Sequence, residues 1–531
     1  MKTFIKYSIL IFSLALLNGC VDLDTYPEGR DVTEEQKAET AALDPSKVEA
    51  SVNGIFTQFS VYQATISSTV RHNDFGYASI MLSMDANGYD VISKDDGYNW
   101  YGNALTFDDR VYTSNETTII WGSLYKQIYS TNNVIATIDS ETTEPSAQYY
   151  LAQALATRSF DYWVLSQLFQ FNYVGNEDKK CVPIITDENA SSAGLDGVPR
   201  ATVAEVYELI MKDINKAVEL MEKTTMAPSD KRYVSKATTY GLRARYNLTM
   251  QKWADAAADA QKAIENAGNP YSRAAVSVPA FIDSRDASWM WGILIAESDR
   301  VVTSGIVNFP SHMGSLSYGY ANFSGGRQIN KKLYASIPNS DVRKGWWLDE
   351  NKASANLNAE QAAYVASKSY IPHTQVKYAP YNNVVNNAVN ASDIPLMRVE
   401  EMYLTRAEGL AMSGNTTGGK DVLESFVKTY RDPEYVCTAT SASDLQTEIY
   451  RQRRIELWGE GLSWFDIMRL KVNIDRRGCG FLEASTIYNI PAGSDILLYR
   501  IPESEIQSNP LISEEDNNPS ASKPTPVPDS N

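Results

Sequence analysis

The chain has 531 residues, with 48 Lys and Arg against 65 Asp and Glu, a net charge of −17 and only 3 His. Its 43% hydrophobic and 11% aromatic content excludes a disordered chain and supplies a large core without disulfide staples. The acidic balance excludes nucleic acid and anionic membrane surfaces as electrostatic partners, since both need clustered Lys and Arg.

Lys2 and Lys6 lead into an apolar run, Tyr7 to Leu17, of signal-peptide length and too short to span a bilayer. The run ends in Leu17-Asn18-Gly19-Cys20, with a small residue before a Cys where cleavage would fall. This resembles a bacterial lipobox and predicts removal of residues 1–19 and lipidation of Cys20. The competing reading is an ordinary signal peptide that happens to contain a cysteine. Cleavage would remove two lysines and no acid, making the mature chain more negative. Residues 20–40, opening Val21-Asp22-Leu23-Asp24 and running through Pro27, read as a polar tether leading off the lipid.

From residue 41 to 511 a single, mostly α domain is expected. Helices are expected over Ile119–Ile138 and Gln148–Phe171. Thr202-Val203-Ala204-Glu205 is a capping box, followed by Val203, Val206, Tyr207, Ile210, Ile214, Ala217, Val218 and Met221 on one helical face. Two helices, divided by a turn near Gln251, cover about 236–267. Tyr240, Ala244, Ala256, Ala260 and Ala263 in that stretch resemble the tetratricopeptide pattern, in which small residues let paired helices approach closely. Glu401 to Met412 reads as the first helix of another such pair, ended by Gly414-Asn415. Irregular insertions rich in Asn, Gly and aromatics span about 72–118 and 270–395, and loops of that length in a compact protein are usually functional. Residues 512–531, with Pro519, Pro524, Pro526 and Pro528, read as a disordered tail.

Chemistry-bearing patterns are sparse. His72, His312 and His373 are far apart and fit no metal spacing, and no H-E-x-x-H, paired C-x-x-C, P-loop or G-x-S-x-G is present. Ser123-Leu124-Tyr125-Lys126 matches S-x-x-K without its companion motifs. Asp85-Ala86-Asn87-Gly88 has a faint calcium-loop pattern but lacks the closing Glu, and a plain turn is the better reading. Cys181, Cys437 and Cys479 remain besides Cys20. One bond, such as Cys437 to Cys479, is compatible with that number but not deducible, and the alternative is buried thiols. What remains is aromatic surface, with 32 Tyr, 15 Phe and 10 Trp. Tyr and Trp pair an apolar face with a polar edge, which suits the C–H faces and hydroxyl rims of sugars. Tyr98, Asn99, Trp100, Tyr101 and Asn103 combine both kinds of group, as do Tyr318, Tyr320 and Asn322. Trp100, in a Gly- and Asn-rich loop, is the leading candidate for a stacking platform. Packing of the loops onto the helices is the competing account.

Several blocks, spread over nearly the whole mature chain, resemble the SusD/RagB family of outer-membrane nutrient-binding lipoproteins. They are Cys20 with Asp22 and Pro27; Trp121-Gly122-Ser123-Leu124-Tyr125-Lys126-Gln127-Ile128 with Asn132-Asn133-Val134-Ile135; Ala156-Thr157-Arg158-Ser159-Phe160-Asp161-Tyr162 with Tyr173-Val174-Gly175; Asp341-Val342-Arg343; Pro395-Leu396-Met397-Arg398; and, sharpest, Arg453-Arg454-Ile455-Glu456-Leu457-Trp458-Gly459-Glu460-Gly461 with Asp466 and Arg469. Two positions depart from the family pattern: Gln452 stands where an acid usually precedes the arginines, and Ser463 where an Arg is usual. These substitutions are expected to weaken one ion-pair network. The charged block itself reads as structural, with intrahelical pairs that fix a neighbouring loop.

The resemblance implies an α-superhelical array of tetratricopeptide-like pairs with long loop insertions. It implies a non-enzymatic glycan-binding lipoprotein without cofactor or metal, anchored in the outer membrane and facing outward. Such a protein captures oligosaccharide as the lid of a SusC-like TonB-dependent transporter. It also implies ligand contacts near the loops of Trp100 and of Tyr318 and Tyr320. Two alternatives stay open, a peptide-binding lid of the RagB kind and a surface glycosidase.

Overall fold

The computed structural model describes residues 46–62, 66 and 71–530. The expected signal peptide, Cys20 and the tether lie outside the described residues. The long helices are α1 (Ser46–Thr57), α2 (Tyr77–Asn87), α3 (Asn115–Ile135), α4 (Pro145–Phe169), α5 (Val203–Lys223), α6 (Lys236–Thr249), α7 (Trp253–Asn266), α8 (Val399–Met412), α9 (Thr416–Tyr430) and α10 (Ala442–Glu456). From α3 to α9 each helix packs on the next, so the chain climbs as a ladder of neighbouring helices. One continuous apolar cluster runs from Val48 to Ile512. The fold is mostly α, as the helical periodicity predicts. Among the described residues, no helix is long and apolar enough to cross a membrane.

Local chemistry explains the boundaries. The Thr202–Glu205 capping box is formed in both directions at the start of α5. Gln251, at φ 57°, makes the tight turn between α6 and α7. Ala244, Ala256, Ala260 and Ala263 are all fully buried. The contact extends to α8, where a side chain at Gly409 would put its Cβ 2.6 Å from the Trp253 carbonyl and 2.9 Å from the Ala257 methyl. Small residues are therefore needed on three successive helices, not only on the pair that the sequence pattern marks.

Although α7 and α8 touch, the insertion of about 270–395 separates them in sequence. Four short antiparallel pairs stitch the irregular regions together: β1 (Val91–Ile92) with β5 (Gln328–Ile329), β2 (Lys180–Pro183) with β3 (Arg200–Thr202), β4 (Trp289–Ile293) with β6 (Ile394–Arg398), and β7 (Ile474–Asp475) with β8 (Asn489–Ile490). The β4–β6 pair clamps the base of the insertion, while β1–β5 ties its tip to the insertion at about 72–118.

The charged block is a buried network, and this corrects the expectation of mainly intrahelical pairs. Arg398, just before α8, bonds Glu460 through Nε and Nη2 at 3.0 and 2.8 Å and pairs with Glu400 and Glu456 at 3.0 and 3.2 Å. Arg431 holds both oxygens of Glu456 at 2.8 Å. Arg343 clasps Asp341 and reaches Glu456 at 3.3 Å. Lys377 donates to Glu460 at 2.6 Å. Of the pairs at Asp466, Arg469–Asp466 is local to one helix, while Arg453–Asp466 joins α10 to the following short helix. Burial pushes the Glu456 carboxyl up, but the guanidinium groups of Arg431, Arg398 and Arg343 outweigh it and hold the group well below the usual range. The two departures complete contacts of their own. Gln452 accepts from Arg343 at 2.6 Å, and the Ser463 hydroxyl donates to Asp90 at 3.3 Å.

Other expectations meet the structure differently. Within residues 512–530, Ile512 and Asn518 are buried and most of the others are exposed. Asn518 donates to the Phe169 and Tyr499 carbonyls at 2.7 Å, and the Val527 amide donates to Ile487 at 2.9 Å. Prolines preclude a ladder there, but an extended chain can still be held by side chains that serve its main-chain groups. Cys181, Cys437 and Cys479 are buried free thiols, so the Cys437–Cys479 bond is not formed. Asp85 is buried near the end of α2 and accepts the Gly461 amide at 3.3 Å. Burial pushes its carboxyl up to about 8.

Two stability outcomes follow. Ala256→Leu should overpack the α6–α7–α8 contact and cost about 1–3 kcal/mol in denaturant unfolding. An unchanged midpoint would show that the contact has slack. Glu456→Ala strands three buried guanidinium groups and should cost about 3–5 kcal/mol. A loss within the range of ordinary surface substitutions would show that water or a neighbouring carboxylate replaces it.

Candidate functional site

The two loops nominated from the sequence meet. Asp95 and Gly97 bring the chain to Tyr98 and Trp100, and the short helix Gly102–Thr106 carries it away. On the other side, the turn Phe309–Met313 leads into residues 314–319 and the one-turn helix Tyr320–Phe323. Gly319 lies so close to Ser311 that a Cβ there would fall 2.2 Å from its hydroxyl oxygen. Tyr98 stacks on Phe323 at 5.2 Å and 25° between planes, and Tyr318 meets Phe323 edge-on at 6.4 Å. Trp100 stacks on His72 at 4.2 Å and 12°, with Tyr320 edge-on at 6.0 Å. Tyr98, Trp100, Tyr318 and Phe323 are 48, 40, 40 and 54% exposed. Such exposure of four large aromatics in one patch is unusual for a surface with no partner.

The remaining nominated residues support this face rather than extend it. Asn99 is buried, donates to the Ser93 hydroxyl at 3.0 Å and the Lys94 carbonyl at 2.9 Å, and accepts from Arg327 at 3.3 Å. Tyr101 and Tyr320 are also buried, Tyr101 with its ring against His312 at 5.2 Å. These three are therefore braces, a correction to their nomination as ligand contacts. A large aromatic beside the tip of a loop is as readily drawn inward as outward, and the sequence does not say which. Asn103 is exposed and donates to Glu116 at 3.0 Å. Asn322 is half-buried, donates to the Ser317 carbonyl at 2.7 Å and the Tyr364 hydroxyl at 2.9 Å, and accepts from Tyr370. Tyr364 in turn donates to Asn386 at 2.8 Å, which places the Asn-rich stretch 382–390 beside the patch. The Tyr318 amide bonds the Asn387 carbonyl, and Asn390 donates to the Tyr318 carbonyl at 2.9 Å.

Phe323 and His72 were missed. Phe323 lies next to a nominated residue, and its position in SLSYGYANF was the available signal. His72 gave no signal, because its role depends on a fold contact between residues far apart in the chain. His312 lies beneath it, buried against Phe75 at 5.5 Å, with Nε2 donating to the His72 carbonyl at 2.9 Å. Burial, followed by the charge of Arg327, drives the His312 pKa down to about 3, so it is neutral. Burial also lowers that of His72. Burial brings Arg327 down to about 10, still charged at neutral pH. Among the described residues, no group of His, Cys, Asp and Glu is placed to hold a metal ion. The patch offers flat apolar faces rimmed by amide and hydroxyl groups.

Two family models match the chain, one on each side of residues 249–323. One, described as starch-binding and associating with the outer membrane, covers residues 36–248; the other, of the SusD family, covers 324–519. The chain belongs to the SusD/RagB family. SusD-like protein P2 of Formosa agariphila is 25% identical over 95% of this chain and 98% of its own length. SusD-like protein P38 of the same organism is 22% identical over 67% of this chain and 73% of its own. A SusD-like carbohydrate-binding protein of Bacteroides vulgatus superposes with a TM-score of 0.73 at 22% identity, covering 90% of this chain and 98% of that one. A SusD superfamily protein of Bacteroides thetaiotaomicron superposes at 0.69 and 22%, covering 90% and 99%. The SusD fold thus accounts for both the helical ladder and the insertions that carry the patch.

Proposed function

We propose that this SusD-family chain is a glycan-binding lipoprotein of the outer-membrane surface, lipidated on Cys20, that captures oligosaccharide and passes it to a SusC-like TonB-dependent transporter beneath it. The observation that carries the binding role is the open aromatic face of Tyr98, Phe323 and Tyr318, with Trp100 exposed two residues beyond Tyr98 on the same loop. Sugar rings present C–H faces to such platforms, and the exposed Asn103 and Asn386 side chains nearby carry amides that suit their hydroxyl rims. Family membership supports the outer-membrane setting and a role as a binding protein rather than an enzyme. The family description as starch-binding and the Bacteroides vulgatus carbohydrate-binding protein support carbohydrate as the ligand class. The lipobox-like Leu17-Asn18-Gly19-Cys20 supports the anchor.

Isothermal calorimetry against a panel of soluble starch, xylan, arabinan, pectin and mixed peptides tests the ligand class. Binding to a polysaccharide without release of shorter products is expected. Binding to peptides alone, or steady product release, would overturn the reading. An aromatic hot spot typically carries about 2 kcal/mol or more, so Trp100→Ala should weaken the best polysaccharide by roughly thirtyfold, with the melting temperature near wild type. Intact affinity would remove Trp100 from the site. Cys20→Ala should release the chain from the membrane fraction, because a stable anchor needs the acyl chains. A variant that still pellets and resists salt extraction would show that something other than lipid holds it.

A further inference from the structure

Trp100 is exposed on a loop, yet one of its faces is already covered. The His72 imidazole lies parallel to the indole, 4.2 Å away and 12° from its plane. His72 is itself held at two points. Its carbonyl accepts the Nε2 proton of buried His312, and its Nδ1 is hydrogen-bonded to the Tyr320 hydroxyl. Tyr320 sits edge-on to both rings, 5.6 Å from His72 and 6.0 Å from Trp100. The backbone on either side of Trp100 is fixed by buried Asn99 and Tyr101. The 40% of Trp100 that remains open is therefore the face turned away from His72 and the outer edge of the ring.

A tryptophan on a loop ordinarily loses side-chain freedom when a ligand stacks on it, and that loss opposes binding. A flat backing that is already locked in place removes the loss before the ligand arrives. Resting on the glycan reading of this patch, we propose that His72 is a positioning residue of the platform: its imidazole, packed on the inner face of Trp100 and bonded to Tyr320, presents the outer face of the indole to the sugar. His72 joins the two nominated loops from a third segment. No aromatic of either loop supplies this backing, since Tyr98 stacks on Phe323 and Tyr101 packs on His312.

The titratable groups facing His72 are Tyr320 and His312, with Arg71 and Asp74 flanking it in its own segment. Burial lowers the pKa of the His72 imidazole below its ordinary value, so it gains a proton only on acidification. An imidazolium stacked on an indole quenches its emission, so the pair has a spectroscopic signature that needs no ligand. In the full chain, the emission lost on Trp100→Phe gives the contribution of that indole. That contribution should fall on acidification as the imidazole gains its proton, and should stay flat in His72→Phe. In calorimetry with the best-binding polysaccharide of the panel, His72→Ala should weaken binding by about three- to tenfold. His72→Phe keeps a flat ring on the indole and should restore it. Tyr320→Phe, which removes only the hydroxyl, checks the same contact should His72→Ala fold poorly, and should weaken binding in the same direction. A pH-independent Trp100 contribution overturns the proposal. So does full affinity in His72→Ala when Trp100→Ala has lost it, and in that case the platform itself stands. If Trp100→Ala binds like wild type, the glycan reading of the patch and this proposal fall together.

Discussion

The return of the long insertion to the helical ladder is held by a network of buried charges. Arg343, Arg398, Arg431 and Lys377 face Asp341, Glu400, Glu456 and Glu460 where the long insertion returns to α8 and meets the end of α10. Each of these ions loses a large hydration energy on burial, and only close opposite charges and hydrogen bonds offset it. The arrangement is consequently intolerant of displacement. A shift that a hydrophobic contact would absorb leaves an ion here without its partner. The sign balance also explains Gln452. Asp341 already neutralises Arg343, so a neutral acceptor at 452 completes its shell where a further acid would add an unmatched charge.

That rigidity reaches the patch through a short series of contacts. Lys377 donates to Glu460 and to the Glu456 and Trp458 carbonyls. Two residues away, the Gln375 amide donates to the Arg327 carbonyl at 2.8 Å, and its side chain donates to the Met313 carbonyl. Arg327 then bonds Asn99, directly below Trp100. The aromatic face stands on loops, but the loops stand on a buried ionic base. Binding surfaces gain affinity when ordering precedes the ligand. The stack of Trp100 on His72 is the last element of the same ordering, set at the surface.

The ladder behaves differently. Its helices are joined by apolar contact and by small residues at Ala256, Ala260 and Gly409, where backbones come close. Such contacts tolerate sequence drift provided volume is kept. Identities of 22% to 25% with relatives of the same fold are in line with this.

The sequence alone marked the helices of the ladder from α3 to α8, because a 3.6-residue apolar period, a capping box at Thr202 and a turn at Gln251 act locally, but it did not mark α2, which lies in the stretch expected to be irregular. It also marked Trp100 and Tyr318 as exposed candidates, since loop composition bears on exposure. The tertiary structure alone decided which aromatics turn outward. It buried Tyr101 and Tyr320 beside the exposed Trp100 and Tyr318, and added Phe323 and His72. It also decided that Asn518 is buried against the Phe169 carbonyl, and that Arg453 and Asp466 pair across two helices. These outcomes depend on which distant groups arrive within a few ångströms of each other, and a local pattern carries no record of that distance.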